Sequence, residues 1–140
     1  LDVGAANGAF VDECRRLGHD AIGIEPDASF ARDFVMCGYV LNVDGEGTFD
    51  LITYHDVLEH VVNPVDELYD ARHMLKSDGM IVVDVPDIAV DAGLKHYKRE
   101  HLWYFTARCF SLIAKRLDLR LRAQEFPIPG KMVSYLCART

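Results

Sequence analysis

Leu1-Asp2-Val3-Gly4-Ala5-Ala6-Asn7-Gly8-Ala9-Phe10-Val11 is the stretch on which the fold class turns. An apolar run enters a turn of small residues and leaves it in a helical pattern, the order strand, turn, helix. The spacing predicts a helix from Gly8 to Leu17 with Phe10, Cys14 and Leu17 on its buried face and Gly18 as its stop. A turn built from such small side chains lets a ligand approach bare backbone beside a helix N-terminus, where free N–H groups collect. Tight strand-to-helix turns favour glycine for geometric reasons too, so the weight of this reading comes from the remainder of the chain.

Working outward, β-branched apolar runs alternate with stretches of helical period, as in a parallel sheet covered by helices, so the fold class is α/β. Ala21 to Glu25 reads as a second strand. Asp27 is the expected cap of a helix burying Phe30, Phe34 and Val35 and closed by Gly38, with a third strand at Tyr39 to Asn42. Phe49 to Tyr54 is a fourth strand, and Asn63-Pro64 starts a helix with Val65, Leu68 and Leu75 on one side and Gly79 as its stop. Met80 to Val85 is the near-continuous apolar run of a central strand, ended by Pro86. Thr106 caps a helix with Phe110, Ile113 and Leu117 inside. Leu119, Leu121 and Ala123 then alternate with Arg120, Arg122 and Gln124, the period of a half-exposed strand. A turn at Pro127-Ile128-Pro129-Gly130 leads to a last strand from Met132 to Cys137, so the chain ends on an antiparallel pair. Asp87 to Phe105 is the one long irregular stretch, and such loops in compact domains are more often functional than idle.

The chain has 140 residues, half of them hydrophobic, which is one domain with a real core rather than several. Acidic residues outnumber basic ones, 22 to 15, for a net charge of -7, which disfavours nucleic acid or an anionic membrane as partner. No apolar run approaches the roughly 20 residues of a membrane span, and no signal peptide opens the chain, so a cytoplasmic protein is expected. Cys14, Cys37, Cys109 and Cys137 are too far apart for a C-x-x-C pair and read as reduced, buried core thiols. The chain opens at Leu1 inside an apolar run without Met, from which a preceding N-terminal segment is expected.

Glu25, at the C-terminal end of the second strand, is placed to accept both hydroxyls of a ribose. Dinucleotide enzymes put an acid there as well, but their pattern asks for glycine at 4, 6 and 9, where this chain has Gly4, Ala6 and Ala9, with Gly8 instead. Asp-x-Gly-x-Ala-x-Gly with Glu25 downstream resembles the first motif and following acidic position of class I S-adenosylmethionine-dependent methyltransferases. Asp56-Val57-Leu58-Glu59-His60-Val61 with Asn63-Pro64, Leu75-Lys76-Ser77-Asp78-Gly79-Met80, and His101-Leu102-Trp103-Tyr104-Phe105-Thr106 are similar to the branch containing ubiquinone-pathway O-methyltransferases. The resemblance spans essentially the whole chain. It implies a Rossmann-like sheet of seven strands, mostly parallel, with an antiparallel C-terminal pair and helices on both faces. It implies S-adenosylmethionine as cofactor and S-adenosylhomocysteine as product, held by Asp2, Gly4, Ala6, Gly8, Glu25, Asp44 and His55. In these roles Gly4 and Gly8 leave room for the cofactor, Glu25 holds the ribose, Asp44 faces the adenine and His55 lies by the methionine moiety. Ala6 departs from the usual middle glycine, and Asn7 stands where Thr or Ser is common.

The chemistry is an in-line displacement at a sulfonium methyl, for which placing the nucleophile is the main lever. His101 and Asp56 are the candidate catalytic residues; His101 either takes a proton from the acceptor or fixes its loop by hydrogen bonds. Asp56, Glu59 and His60 share one side of a helical turn, and the resemblance extends to Mg-dependent relatives in which such a set plus a later His holds metal. Bracing the turn toward Asn63-Pro64 is the commoner use of such residues and is the expectation here, with Mg2+ as the alternative. Lys95, Lys98 and Arg99, with His96 and Tyr97 among them, form a basic-aromatic patch that meets an acidic group or is a solvated loop. Trp103, Tyr104 and Phe105 either wall the acceptor or pin the loop. The expected acceptor is a small molecule methylated at oxygen; a non-catalytic domain of the same fold and an NAD-dependent oxidoreductase are the alternatives. Fold alone does not set the acceptor.

Overall fold

The computed structural model describes residues 1–89, 98–127 and 130–138. Seven strands form one sheet: β1 (Asp2–Val3), β2 (Gly23–Glu25), β3 (Val35–Cys37), β4 (Phe49–His55), β5 (Leu75–Pro86), β6 (Leu119–Glu125) and β7 (Lys131–Ala138). Their spatial order is β3-β2-β1-β4-β5-β7-β6. Strands β1 to β5 pair in parallel, while β7 runs antiparallel to both β5 and β6. The expected seven-stranded, mostly parallel sheet with an antiparallel C-terminal pair is the observed one.

Helices α1 (Ala9–Arg16), α2 (Pro64–Met74) and α3 (Ala107–Arg116) cover it. The β1-to-β2 connection steps one way along the sheet and the β4-to-β5 connection the other, so right-handed crossovers put α1 and α2 on opposite faces. The main core joins Ile52 and Tyr54 of β4, Ile81, Val83 and Val85 of β5, and Met132 and Leu136 of β7 to Leu68 and Ala71 of α2 and Phe110 and Ile113 of α3. A smaller core on the side of α1 holds Ala5, Val11 and Val35.

Several local expectations are corrected. On α1 the fully buried residue is Val11, whereas Phe10 and Leu17 are exposed and Cys14 is half-buried. The helix carries a narrow contact stripe, because only β1, β2 and the start of β3 lie beneath it. Asp27 caps a three-residue 3-10 turn, Ala28–Phe30, by accepting from the Ser29 N–H at 2.9 Å, and no longer helix follows. Arg32 and Val35 exchange backbone hydrogen bonds at 3.0 Å, which reverses the chain with Phe34 in the left-handed region at φ 66°. The third strand therefore starts at Val35, and Val40–Asn42 is a 3-10 turn rather than a strand. Helix α2 stops at Met74 and the chain passes directly into β5, so Gly79 lies inside a strand. It sits where pairing with β4 slips from Phe49 opposite Leu75 to Leu51 opposite Met80, an irregularity of the bulge type. Of the four cysteines, only Cys137 is buried; Cys37 is exposed, and all four are free thiols.

Burial predicts the sizes of two substitutions on α1. Val11→Ala is expected to cost about 2 kcal/mol through lost burial and a residual cavity. Leu17→Ala is expected to stay within about 0.5 kcal/mol. Urea unfolding of both variants checks the assignment of the buried face.

Candidate functional site

Pairing register assembles the first part of the site. Strand β1 lies between β2 and β4, with Val3 opposite Ile24 on one side and Tyr54 on the other. One residue further on, Gly4 emerges from the sheet between Glu25 and His55. The chain goes from β1 outward to β2 and β3 and returns to β4 on the other side, so this is the point of the sheet where strand order reverses. Ligands of open α/β sheets bind in the crevice at such points.

Gly4, Ala6 and Gly8 all adopt left-handed backbone, at φ 71°, 45° and 77°. A Cβ at Gly4 would stand 2.4 Å from Val57 Cγ2, and one at Gly8 would stand 2.7 Å from Val35 Cγ2. Both therefore need glycine on two counts, conformation and space. Ala6 carries its methyl in a conformation that costs an L-residue of order 1 kcal/mol or more. Glu25 holds the turn in place: its Oε2 accepts from the Ala6 N–H at 3.0 Å and its Oε1 from the Asp27 N–H at 3.1 Å. Arg32 clamps the same turn from outside, donating to the Asn7 carbonyl at 3.1 Å and pairing with Asp12. No sequence spacing pointed to Arg32, because it sits in the reversal that replaces the expected helix.

Asp2 and Asp44 stand apart from this turn in different ways. Asp2 is buried within β1, accepts the Thr53 hydroxyl at 2.7 Å, and is held above the ordinary carboxylate value by burial. Asp44 is exposed in the loop after Val40–Asn42.

A charged cluster follows at the ends of β4, β5 and β7. His55 Nδ1 lies 3.0 Å from Asp84 Oδ2, and Lys131 Nζ reaches Asp84 Oδ1 at 2.6 Å and pairs with Asp56 as well. The hydrogen bond that the His55 ring donates to Asp84 raises the His55 pKa over the opposing effect of burial. Burial acts to raise Asp84, but His55 and Lys131 together outweigh it and hold this carboxyl below its ordinary value. Lys131 is raised because its two carboxylates overcome its own desolvation. Asp84 had a sequence signal, a lone acid in the apolar run Ile81-Val82-Val83-Asp84-Val85; Lys131 had none. Phe10 packs edge-on against the His55 ring at 4.9 Å between centroids, which explains its exposed position on α1.

The third part lies in the turn after β4. Leu58–His60 forms a 3-10 turn whose Glu59 is only 1% exposed. The segment from His101 to Trp103 docks on it: the Leu102 and Trp103 N–H groups both donate to the Glu59 carbonyl, at 2.8 and 3.2 Å. The Trp103 indole N–H donates to the Val61 carbonyl at 2.8 Å, and Phe105 packs on Phe110. Trp103 and Phe105 thus pin the loop. His60 Nδ1 donates to the Glu100 carbonyl at 2.9 Å, and the His60 and His101 rings meet edge to face at 4.9 Å. Among the described residues, Glu59 Oε2 and His101 Nδ1 are buried without a hydrogen-bond partner. Burial raises the Glu59 pKa, and Asp56 adds to it; burial, then His60 and Lys98, lower that of His101. Asp56, at φ 53°, turns to Lys131, so the expected set of Asp56, Glu59, His60 and His101 divides into two clusters. Lys98 and Arg99 are exposed, while Lys95, His96, Tyr97, Ile128 and Pro129 lie outside the described residues.

A cavity of about 620 Å3, lined by Leu1, Leu17, Ile22, Phe49 and Lys76 among others, opens at the opposite edge of the sheet, by the strand N-termini. Asp2 and Phe10 are also in its lining, whereas Gly4, Glu25, Asp84 and Glu59 are not.

A methyltransferase-domain family model matches residues 1–124. The ubiquinone biosynthesis O-methyltransferase of Bradyrhizobium diazoefficiens is 31% identical over 96 residues, covering 59% of this chain and 38% of that protein. The chain thus spans well under half the length of this curated relative. A SAM-dependent methyltransferase from Archaeoglobus fulgidus superposes with TM-score 0.81 at 14% identity, covering 98% of this chain and 84% of that one. The Burkholderia thailandensis 1,6-didemethyltoxoflavin-N1-methyltransferase, solved with its substrate and S-adenosylhomocysteine, has TM-score 0.79 at 19% identity over 100% of this chain and 70% of that one.

Two measurements check the geometry of this site. Ala6→Gly removes a strained methyl and is expected to raise stability by about 1 kcal/mol, less the part returned as unfolded-chain entropy. The second concerns His55, whose pKa in the folded chain lies above 6.5. Stability from its pairing with Asp84 is fully present below about pH 6.5 and is lost as pH rises through that higher value. The stability gap between the wild-type chain and His55→Gln should therefore widen from pH 8.5 to pH 6 in urea titrations.

Proposed function

Because the chain belongs to the methyltransferase-domain family whose model covers residues 1–124, we propose that it transfers a methyl group from S-adenosylmethionine to a small-molecule acceptor, at oxygen. The observation that carries this reading is the register that sets Glu25 and His55 on either side of the Gly4–Gly8 turn. In this reading the turn gives the cofactor bare backbone to lie against. Glu25, already oriented by two backbone N–H groups, keeps lone pairs for the ribose hydroxyls. His55, fixed by Asp84, borders the methionine end. S-adenosylmethionine supplies the electrophilic methyl; the chain's own residues bind, orient and exclude water. The choice of oxygen draws on the O-methyltransferase relative, and Asp44 and Asp2 are assigned supporting roles near the adenine and beneath the turn.

An oxidoreductase reading would place NAD in the same crevice, and a non-catalytic reading would keep the crevice without the reaction. Calorimetric titration of the purified chain with S-adenosylmethionine, S-adenosylhomocysteine and NAD separates them. Micromolar binding of the two adenosyl ligands, about -8 kcal/mol, with none of NAD is the expected result. Glu25→Ala removes at least one hydrogen bond to a charged acceptor, worth about 1.5–3 kcal/mol, and should weaken S-adenosylhomocysteine by at least roughly 10- to 100-fold. NAD binding, or unchanged affinity in Glu25→Ala, would overturn the assignment.

A further inference from the structure

We propose that His55 takes the proton from the methyl acceptor, and that Asp84 and Lys131 are the residues that position it. The inference deepens the methyl-transfer reading and rests on it. His55 and His101 compete for this role at the C-terminal edge of the sheet. His101 is 8% exposed, with the His60 and Tyr104 rings against it. The His55 side chain is 40% exposed and stands beside Gly4 by strand register, on the crevice assigned to the methyl donor. A general base must come within hydrogen-bond reach of the proton it removes, and of the two His55 has the open ring.

The orienting partner is built into the sheet. His55 on β4 and Asp84 on β5 are partners in the strand register, and His55 Nδ1 lies 3.0 Å from Asp84 Oδ2. An ionised carboxylate can only accept, so Nδ1 carries the proton and Nε2 keeps the lone pair that a base needs. His60 by contrast turns its Nδ1 to a backbone carbonyl, that of Glu100. The second oxygen of Asp84 receives Lys131 Nζ at 2.6 Å, and Lys131 is tied in turn to Asp56. With both oxygens engaged the carboxylate keeps one orientation, and Phe10 holds the ring edge-on at 4.9 Å between centroids. An acid inside the apolar run Ile81-Val82-Val83-Asp84-Val85 costs desolvation, and what the site gains from it is a base oriented by a third group.

In the step this implies, the acceptor hydroxyl gives its proton to His55 Nε2. The oxygen's lone pair forms the new O–C bond on the side opposite sulfur, the C–S bond breaks, and its electron pair stays on sulfur as S-adenosylhomocysteine forms. The imidazolium left behind is stabilised by Asp84 and loses its proton to solvent through its exposed edge. The groups that face His55 are Asp84 from β5, Asp2 from β1 and Lys131 from β7, while α1 contributes Phe10, which does not titrate. The hydrogen bond to Asp84 raises the His55 pKa first and Asp2 adds to it, whereas burial and Lys131 oppose. His55 must be neutral to act, so the rate falls as pH drops through a value above 6.5.

The test follows methyl transfer from S-adenosylmethionine to phenol and to 4-nitrophenol between pH 5.5 and pH 9. Phenols are the probes because a base near neutrality lies far closer to a phenolic proton than to that of an aliphatic hydroxyl. At the upper end of the range 4-nitrophenol is already ionised and needs no base. His55→Gln changes a half-exposed side chain; it is expected to lower kcat on phenol about 100-fold or more and to leave 4-nitrophenol at pH 9 within about fivefold. Asp84→Asn should move the acid limb of the profile to lower pH and Lys131→Met to higher pH, because the first partner raises the His55 pKa and the second lowers it. His73→Gln, on α2, should leave the profile where it is. NMR of the imidazoles in the chain saturated with S-adenosylhomocysteine needs no acceptor, and the Nδ1–H tautomer with the same two opposite shifts is expected. Equal losses on the two phenols in His55→Gln, a limb or an NMR titration unmoved by either partner variant, or an Nε2–H tautomer would overturn the proposal; if neither phenol is methylated, the NMR result alone decides. Failure to bind S-adenosylhomocysteine removes the methyl-transfer reading itself, whereas binding with any of those results removes the His55 assignment alone.

Discussion

The structure depends on one constraint, the position of a two-residue strand between two parallel neighbours. Strand β1 has only Asp2 and Val3, yet it pairs with β2 and β4 at once and sends its next residue out of the sheet between them. Parallel pairing repeats without a change of face, so the register at Val3 also fixes which side chains stand beside Gly4. Glu25 and His55 are adjacent to the turn for no other reason. The turn then settles on Glu25 through the Ala6 N–H and is clamped by Arg32. A slip of one residue would send Glu25 to the opposite face and leave the Ala6 N–H unsatisfied.

A second dependence runs through backbone hydrogen bonds rather than side chains. The carbonyl of Glu59 receives two N–H groups from the segment 102–103, and the Val61 carbonyl receives the Trp103 indole. These bonds bring residues some forty positions apart into one cluster at the C-terminal edge of the sheet. The side chain of Glu59 is carried into the interior as a consequence, at the cost of desolvating a carboxyl. His101 is buried beside it for the same reason.

Periodicity made the strands legible wherever packing covers a face. Met80 to Val85 is apolar because it is central, and Leu119 to Arg122 alternates because one side is wet; beyond that the expected alternation fails, because an irregularity between Leu121 and Ala123 exposes Ala123 and turns Gln124 inward to Ser134. The helix after Asp27 did not read correctly, because the capping signal is genuine but Val35 is needed in β3, and burying it beneath α1 outweighed continuing the helix. The face of α1 was misread for a related reason: Phe10 and Leu17 are larger than Val11, yet they lie beyond the narrow stripe that β1 and β2 offer. The glycine turn and Glu25 were legible as a strand-end pattern, and His55 only through the family resemblance. Lys131 and Arg32 were not, since their partners come from distant segments and a lone cation carries no spacing.

Electrostatics divides what the sequence presents as one acidic motif. Asp56 and Glu59 are three residues apart and both near the end of β4, but Asp56 occupies left-handed backbone and its carboxylate turns to Lys131. That pairing connects Asp56 to Asp84 and His55, on the side of the glycine turn. Glu59 lies on the other side, buried beside His60 and His101, where the charges of His60 and Lys131 offset only part of the effect of its burial. The two halves therefore differ in kind. The first is a network of opposite charges that fixes His55 against the turn; the second is a buried carboxyl beside two imidazoles, held where it is by the backbone hydrogen bonds from Leu102 and Trp103.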